Sequence, residues 1–159
     1  SQPYMVALMT EALRLTGRER VLEIGAGSGY QSAVLSMLAY KVYAVERIPS
    51  IASMARKNLD ELHCSNVILR IGDGTLGWRE EAPFDAVISA AASPRVPSAY
   101  IEQLKPGGRL IIPIGAEDSQ ELLRITKTEN GAVSEVLGGC RFVKLIGRHG
   151  WQQPRENPQ

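Results

Sequence analysis

The sequence predicts an α/β fold: a Rossmann-like, doubly wound, mostly parallel seven-stranded sheet that ends in an antiparallel hairpin. Three observations predict it. Short runs rich in Val, Ile and Leu alternate with stretches of helical apolar spacing through the first two thirds of the chain. The first such run, Val21-Leu22-Glu23-Ile24, breaks into Gly25-Ala26-Gly27-Ser28-Gly29-Tyr30, the mark of a buried strand that turns through glycines into a helix. Beyond Gly115 the period changes, and Glu129-Asn130-Gly131 stands between two β-prone runs.

The elements follow in order. Met5, Leu8, Met9, Ala12 and Leu13 recur at helical spacing after Pro3, a favoured first-turn residue, with Gly17 closing the helix. A strand over 20–24 leads through the glycine turn to a helix over 30–39. Lys41 to Glu46 reads as the second strand, and Pro49 to Leu62 as a helix with proline again in its first turn. Asn66 to Ile71 and Phe84 to Ser89 make the third and fourth strands. Pro97 to Leu104 is a short helix ended by Lys105-Pro106-Gly107-Gly108, and Arg109 to Ile114 is the fifth strand. Glu121 to Thr128 and Ala132 to Leu137 form a hairpin about an Asn-Gly turn of type I′, and Cys140 to Ile146 extends its second arm past Gly138-Gly139.

Composition narrows the function. A chain of 159 residues makes a single domain over 1–159, and 44% apolar with 22% charged residues describes an ordinary globule. A net charge of +1 supplies no long-range field for nucleic acid or an anionic membrane. The densest basic cluster, Arg141, Lys144 and Arg148, is interrupted by apolar residues. No apolar run reaches the ~18 residues of a membrane span. Cys64 and Cys140 belong to no C-x-x-C pair, so no metal or redox motif is supported, and two reduced thiols fit a cytoplasmic protein. His63 reads as a residue at a solvated helix end and His149 as a surface residue.

The glycine turn separates two kinds of cofactor loop. A dinucleotide fingerprint needs a third glycine where the chain has Tyr30. The E-x-G-x-G-x-G pattern of Glu23, Gly25, Gly27 and Gly29 instead places a carboxylate where a pyrophosphate would be repelled and a cation welcomed. S-adenosylmethionine (AdoMet), with its ammonium and sulfonium groups, fits. Other chemistry falls at the carboxyl ends of strands, where ligands of such sheets sit. Glu46 can accept from both ribose hydroxyls. Asp73, between Gly72 and Gly74, can accept from the adenine amino group, so its removal is expected to weaken AdoMet binding. Five β-α repeats with a closing hairpin make the pattern of class I methyltransferases. With no general base in view, a carboxylate acceptor is favoured, since it is already ionised at neutral pH and needs only alignment.

Ser1 to Met9, Val21 to Tyr30, Gly72-Asp73-Gly74 with Gly77-Trp78, Ala82 to Ala86, Gln103 to Leu110 and Phe142 to Gly147 together resemble the prokaryotic protein-L-isoaspartate (D-aspartate) O-methyltransferase family. The resemblance runs over essentially the whole chain. It implies methyl transfer from AdoMet, leaving S-adenosyl-L-homocysteine, to the free carboxylate of L-isoaspartyl and D-aspartyl residues in damaged proteins and peptides, the ester then collapsing to a succinimide. It further implies that Ser1 is the active-site residue that orients the acceptor carboxylate, and that Gly25, Gly27, Gly29, Glu46, Asp73, Gly74 and Ala90 border the cofactor. The family carries several tens of residues before this serine, which help cover the site, so a chain that starts at Ser1 is expected to lack that cover. Lys144 stands where the family has proline, a change expected to be tolerated at an edge strand. The expected protein is a cytoplasmic monomer without metal. A class I methyltransferase with another acceptor and an AdoMet-binding module without activity are the alternatives.

Overall fold

The computed structural model describes residues 2–153. A seven-stranded sheet runs in the order β3-β2-β1-β4-β5-β6-β7. Strands β1 (Arg20–Ile24), β2 (Lys41–Glu46), β3 (Val67–Ile71), β4 (Phe84–Ser89) and β5 (Leu104–Gly115) are parallel, while β6 (Gln120–Thr128) and β7 (Gly131–Cys140) add antiparallel to the β5 edge. The chain works outward from β1 to β3 and returns to β4 on the other side of β1, which opens a crevice at the carboxyl ends of these strands.

Both faces of β1, β2 and β4 are buried, which is why these runs are almost continuously apolar. Val21, Val42, Ala86 and Ile88 face one way and pack with Met9 and Leu13 at the first helix, α1 (Pro3–Ala12), Leu35 of α2 (Tyr30–Ser36) and Leu59 of α3 (Pro49–Glu61). Leu22, Ile24, Tyr43, Val45 and Val87 face the other way, against Trp78, Leu145 and Tyr100 of α4 (Ser98–Glu102). Each fully buried Leu, Ile or Val there contributes roughly 1.5–3 kcal/mol over an exposed one.

Several boundaries differ from expectation, each for a visible reason. Helix α1 stops at Ala12, and Arg14 turns left-handed (φ 51°). Gly17 closes no helix, because the Glu19 carboxylate accepts from the backbone N–H groups of Thr16, Gly17 and Arg18 and folds 16–19 into its own loop. Helix α2 ends at Ser36 rather than at 39, where the Asn66 side chain donates to the carbonyls of Ser36 and Ala39. Lys105 to Gly108 do not precede β5 but lie within it as an irregularity: Phe84 pairs with Leu104 while Ala86 pairs with Arg109. The hairpin turn centres on Glu129-Asn130, since Thr128 pairs with Gly131. It is not type I′, which needs left-handed residues at both turn positions, and neither Glu129 nor Asn130 is left-handed. The second arm continues through Gly138-Gly139 to Cys140 with a register shift at Leu137, and the segment beyond Cys140 leaves the sheet.

Candidate functional site

A cavity of about 1160 Å³ occupies the crevice. Its walls are the glycine loop after β1, Val45 to Ile48 at the end of β2, Gly74 after β3, Ala90 and Ala91 after β4, and a strap, Arg141 to Ile146, from the far end of the chain. Pro3 and Val6 bring the first turns of α1 to its border.

The glycine loop is held by the neighbouring strand. Gly25 N–H donates to Val45 O (2.8 Å), and Gly27 N–H donates to Glu46 Oε2 (3.0 Å). The other oxygen of Glu46 accepts from Ile48 N–H (3.0 Å), so one nearly buried carboxylate ties two wall segments together at the end of β2. Gly25 (φ 83°) and Gly27 (φ 57°) are left-handed and line the cavity, and a Cβ built on Gly27 would meet nothing within 4 Å. That open space faces a ligand's approach. Gly29 serves another purpose. It is the left-handed cap of α2, and a Cβ there would press on Ala55 O and Leu59 at 3.3 Å, so its smallness lets α2 and α3 pack. The expectation that all three glycines border a cofactor is therefore corrected for Gly29, which lies outside the cavity wall.

Glu23 is corrected as well. Strand alternation puts it on the same face as Val21, beneath α2, where it is fully buried and does not line the cavity. Ser32 Oγ donates to Glu23 Oε2, and Oε1 has no partner. Burial pushes the carboxyl up to about 8; the nearby charge of Glu46 adds to this and the Ser32 hydrogen bond opposes it. Glu23 is thus mainly protonated at neutral pH and supplies no fixed negative charge to a cation.

Asp73 does not line the cavity, whereas its neighbour Gly74 does. Its Oδ1 accepts from Thr75 N–H (2.9 Å) and Thr75 Oγ1 (2.7 Å), and its Oδ2 accepts from Arg148 N–H (2.8 Å). Burial works to raise its pKa, but the hydrogen bonds from Arg148 and Thr75, with the charge of His149 adding, outweigh it and hold the carboxyl below its ordinary range. Three donors of the chain itself thus hold the Asp73 carboxylate in place behind Gly74. Gly74 is fixed from behind, where Tyr100 Oη donates to its carbonyl (2.9 Å) and a Cβ would overlap Ile24.

Ala90 lines the cavity and its N–H donates to Ile24 O (2.9 Å), which places it beside Gly25. The expected active-site Ser1 lies outside the described residues. The basic residues Arg141 and Lys144 line the cavity, although the sequence pattern had disposed of them as an interrupted cluster. Lys144 is not on an edge strand: it pairs as an isolated bridge with Ala92, and its Nζ meets Glu117 Oε1 (2.7 Å). Cys64 and Cys140 are half-buried free thiols. Among the described residues no group of three His, Cys, Asp or Glu could hold a metal ion, and no helix is long and apolar enough to cross a membrane.

Comparison with known proteins gives a consistent result. The family model for protein-L-isoaspartate(D-aspartate) O-methyltransferase matches residues 1–150. The protein-L-isoaspartate O-methyltransferase of Geobacter metallireducens is 60% identical over 152 residues, which span 95% of this chain and 70% of the relative. That of Geotalea uraniireducens, numbered 2 in its name, is 62% identical with the same coverage. A solved protein-L-isoaspartate O-methyltransferase superposes with a TM-score of 0.88 at 35% identity, covering 94% of this chain and 49% of the other. A Plasmodium falciparum chain described as such an enzyme, solved in complex with S-adenosyl-L-homocysteine, gives 0.76 at 25% identity, covering 92% of this chain and 75% of the other.

Proposed function

The chain belongs to the protein-L-isoaspartate(D-aspartate) O-methyltransferase family, and from that premise we propose that its crevice seats AdoMet and aligns an isoaspartyl carboxylate for methylation. The observation that carries the proposal is the Glu46 carboxylate. It lines the cavity, spends one lone pair of each oxygen on Gly27 N–H and Ile48 N–H, and keeps others for the two ribose hydroxyls. The open space over Gly27 and the small side chain of Ala90 beside Gly25 leave room for the rest of the ligand, so the residues present fit the group. When bound, AdoMet supplies an electrophilic methyl group on a sulfonium.

This chain's own residues do the positioning. Gly25, Gly27, Glu46 and Gly74 would hold the cofactor, with Ala90 at the methyl-transfer face. Ser1 would donate a hydrogen bond that orients the acceptor carboxylate. That carboxylate is ionised at pH 7, so no residue need remove a proton, and the rate gain comes from holding two partners in line and excluding water. Peptides and proteins carrying isoaspartyl residues are the acceptors; the ester they receive is lost as a succinimide. Nothing in a net charge of +1 draws in nucleic acid.

Tritiated AdoMet offered with an isoaspartyl peptide and its normal aspartyl twin tests the reading. Base-labile label is expected on the isoaspartyl peptide alone. Equal label on both would remove the specificity, and tight S-adenosyl-L-homocysteine (AdoHcy) binding with label on neither would leave a binding module.

A further inference from the structure

The Asn130-Gly131 pair lies far from the crevice, and the hairpin it belongs to does not explain the asparagine. A type I′ turn favours Asn-Gly because both of its central residues are left-handed. Here the central residues are Glu129 and Asn130, neither is left-handed, and no backbone conformation calls for asparagine at 130. Gly131 (φ 142°) does need to be glycine, and a Cβ built on it would meet nothing within 4 Å. Thr128 to Val136 are all exposed, on a strand that forms the outer edge of the sheet. The other asparagines among the described residues are held and followed by bulky neighbours. Asn58 Nδ2 donates to Ser28 O (2.8 Å) and precedes Leu59; Asn66 Nδ2 donates to Ser36 O (2.9 Å) and Ala39 O (3.2 Å) and precedes Val67.

From this geometry we propose that Asn130-Gly131 is a damage site of the chain itself, which ages to an isoaspartyl residue and is then methylated by a second copy. The proposal rests on the methyl-transfer reading above. With no Cβ on Gly131, its backbone nitrogen approaches the Asn130 side chain unhindered. The Thr128–Gly131 rung ends the hairpin ladder, where opening costs least. The Gly131 nitrogen then bonds to Asn130 Cγ, its proton passes to the departing amide nitrogen, and ammonia leaves a succinimide. Water that opens the ring at the main-chain carbonyl leaves the chain running through Cγ and an α-carboxylate beside it. That carboxylate cannot enter its own crevice. Gln120 starts β6 beside the strap, where its Oε1 accepts from Phe142 N–H (2.8 Å). Over the nine residues of β6, at about 3.4 Å each, the turn comes to lie roughly 27 Å from the strap. It sits by the start of β5, where Lys127 Nζ donates to Leu104 O (2.7 Å). In the crevice of a second copy the carboxylate oxygen accepts the methyl group as its bond to the sulfonium breaks, and AdoHcy leaves. Attack of the Gly131 nitrogen on the ester expels methanol and restores the succinimide.

Ageing the parent protein in mildly alkaline buffer, and offering it as acceptor to fresh Asn130→Gln protein with tritiated AdoMet, tests this. The variant keeps an exposed amide at the turn but cannot close the five-membered ring, so it serves as a catalyst that is not itself damaged there. Mass analysis of the peptide spanning residue 130 reads the conversion of amide to acid, independently of any methyl transfer. That peptide is expected to deamidate with age and to carry base-labile label, and the label is expected to be lost when aged Asn130→Gln replaces the aged parent. In aged parent alone the initial rate should rise with the square of protein concentration, as one copy acts on another; a rate in simple proportion would place the turn in its own crevice and overturn the proposal. A peptide that keeps its amide through ageing overturns it, as does label confined to other peptides. A deamidated peptide without label, in a tube where a synthetic isoaspartyl peptide is labelled, overturns it too. If the synthetic peptide is not labelled either, the functional reading fails, and the proposal with it.

Discussion

The two walls of the crevice are built differently. The cofactor wall, residues 24–48, is assembled from strand ends and one loop, with bonds such as Gly27 N–H to Glu46 that join adjacent strands within about twenty residues of sequence. The opposite wall, proposed to face the acceptor, is a strap whose bonds span much longer separations: Val143 to Ala92, Arg148 to Asp73, Trp151 to Ala92. The first wall is fixed by short-range hydrogen bonds at the ends of neighbouring strands, so it is ready before any ligand arrives. The second rests on a few point attachments, so its position can be changed by single substitutions that leave the sheet alone. Preorganising the donor and leaving the acceptor wall adjustable suits an enzyme family whose acceptors are varied damaged proteins.

The largest effect should come from the cofactor wall. Glu46→Ala removes the acceptor for Gly27 N–H and Ile48 N–H together with the groups proposed for the ribose. AdoHcy Kd is expected to rise about tenfold to a hundredfold, corresponding to roughly 1–3 kcal/mol for a lost charged acceptor. A Kd within twofold of the parent, measured by calorimetry, would show that this wall does not carry the cofactor and would break the comparison.

How much of this the sequence disclosed follows the same division. Gly25, Gly27 and Glu46 were legible because the strand–glycine–helix pattern and the strand end are local signals. Glu23 and Gly29 were found but misread: which face of β1 a residue takes, and whether a glycine makes room for a ligand or for α3, depends on neighbours distant in sequence. The bonds from Arg148 and His149 to Asp73 and Thr75 were illegible. Nothing near Gly72-Asp73-Gly74 signals a partner 75 residues away, and the strap has no period of its own because its hydrogen bonds go to single loops rather than to a continuous strand.

Glu23 gives the next test, by pH. Its carboxyl is pushed up to about 8 from an ordinary 4.5, so between those values the folded protein holds a proton that the unfolded chain has released. Stability from this group is therefore full below about 4.5 and falls as pH rises toward about 8. Glu23→Gln removes the titration. Without cofactor, the parent should lose roughly 3 °C or more in Tm relative to Glu23→Gln between pH 5 and pH 8.5, a shift equivalent to about 1 kcal/mol in a domain of this size. Parallel curves would mean that the core beneath the cofactor wall carries the charged form at no cost.

Tyr100 separates support from contact. Tyr100→Phe keeps the buried ring but leaves the Gly74 carbonyl without its donor. A loss of about 1–2 kcal/mol, seen as a Tm about 3–6 °C lower, is expected with AdoHcy affinity within threefold. If affinity falls further than stability, the loop after β3 is tuned by α4 and is less rigid than the rest of the cofactor wall.

The smallest effect belongs to Lys144, on the strap. Its pairing with Ala92 uses Val143 O and Leu145 N–H, so the Lys144 N–H is not spent on the bridge and proline can occupy the position without breaking it. Lys144→Pro would lose the ion pair to Glu117, which is about two-thirds exposed, and the approach of Nζ to the Trp151 ring (5.4 Å). Exposed pairs contribute roughly 0–1 kcal/mol, and proline returns a similar amount by restricting the unfolded chain. Stability by calorimetry should therefore stay within about 0.5 kcal/mol of the parent. The cation sits on the acceptor wall, so any change should appear in KM for isoaspartyl peptides with acidic neighbours, whereas AdoHcy affinity stays constant. A Tm drop as large as that of Tyr100→Phe would mean that the strap depends on its side chains as much as on its backbone bridge, and the point-attachment picture of the acceptor wall would have to be given up.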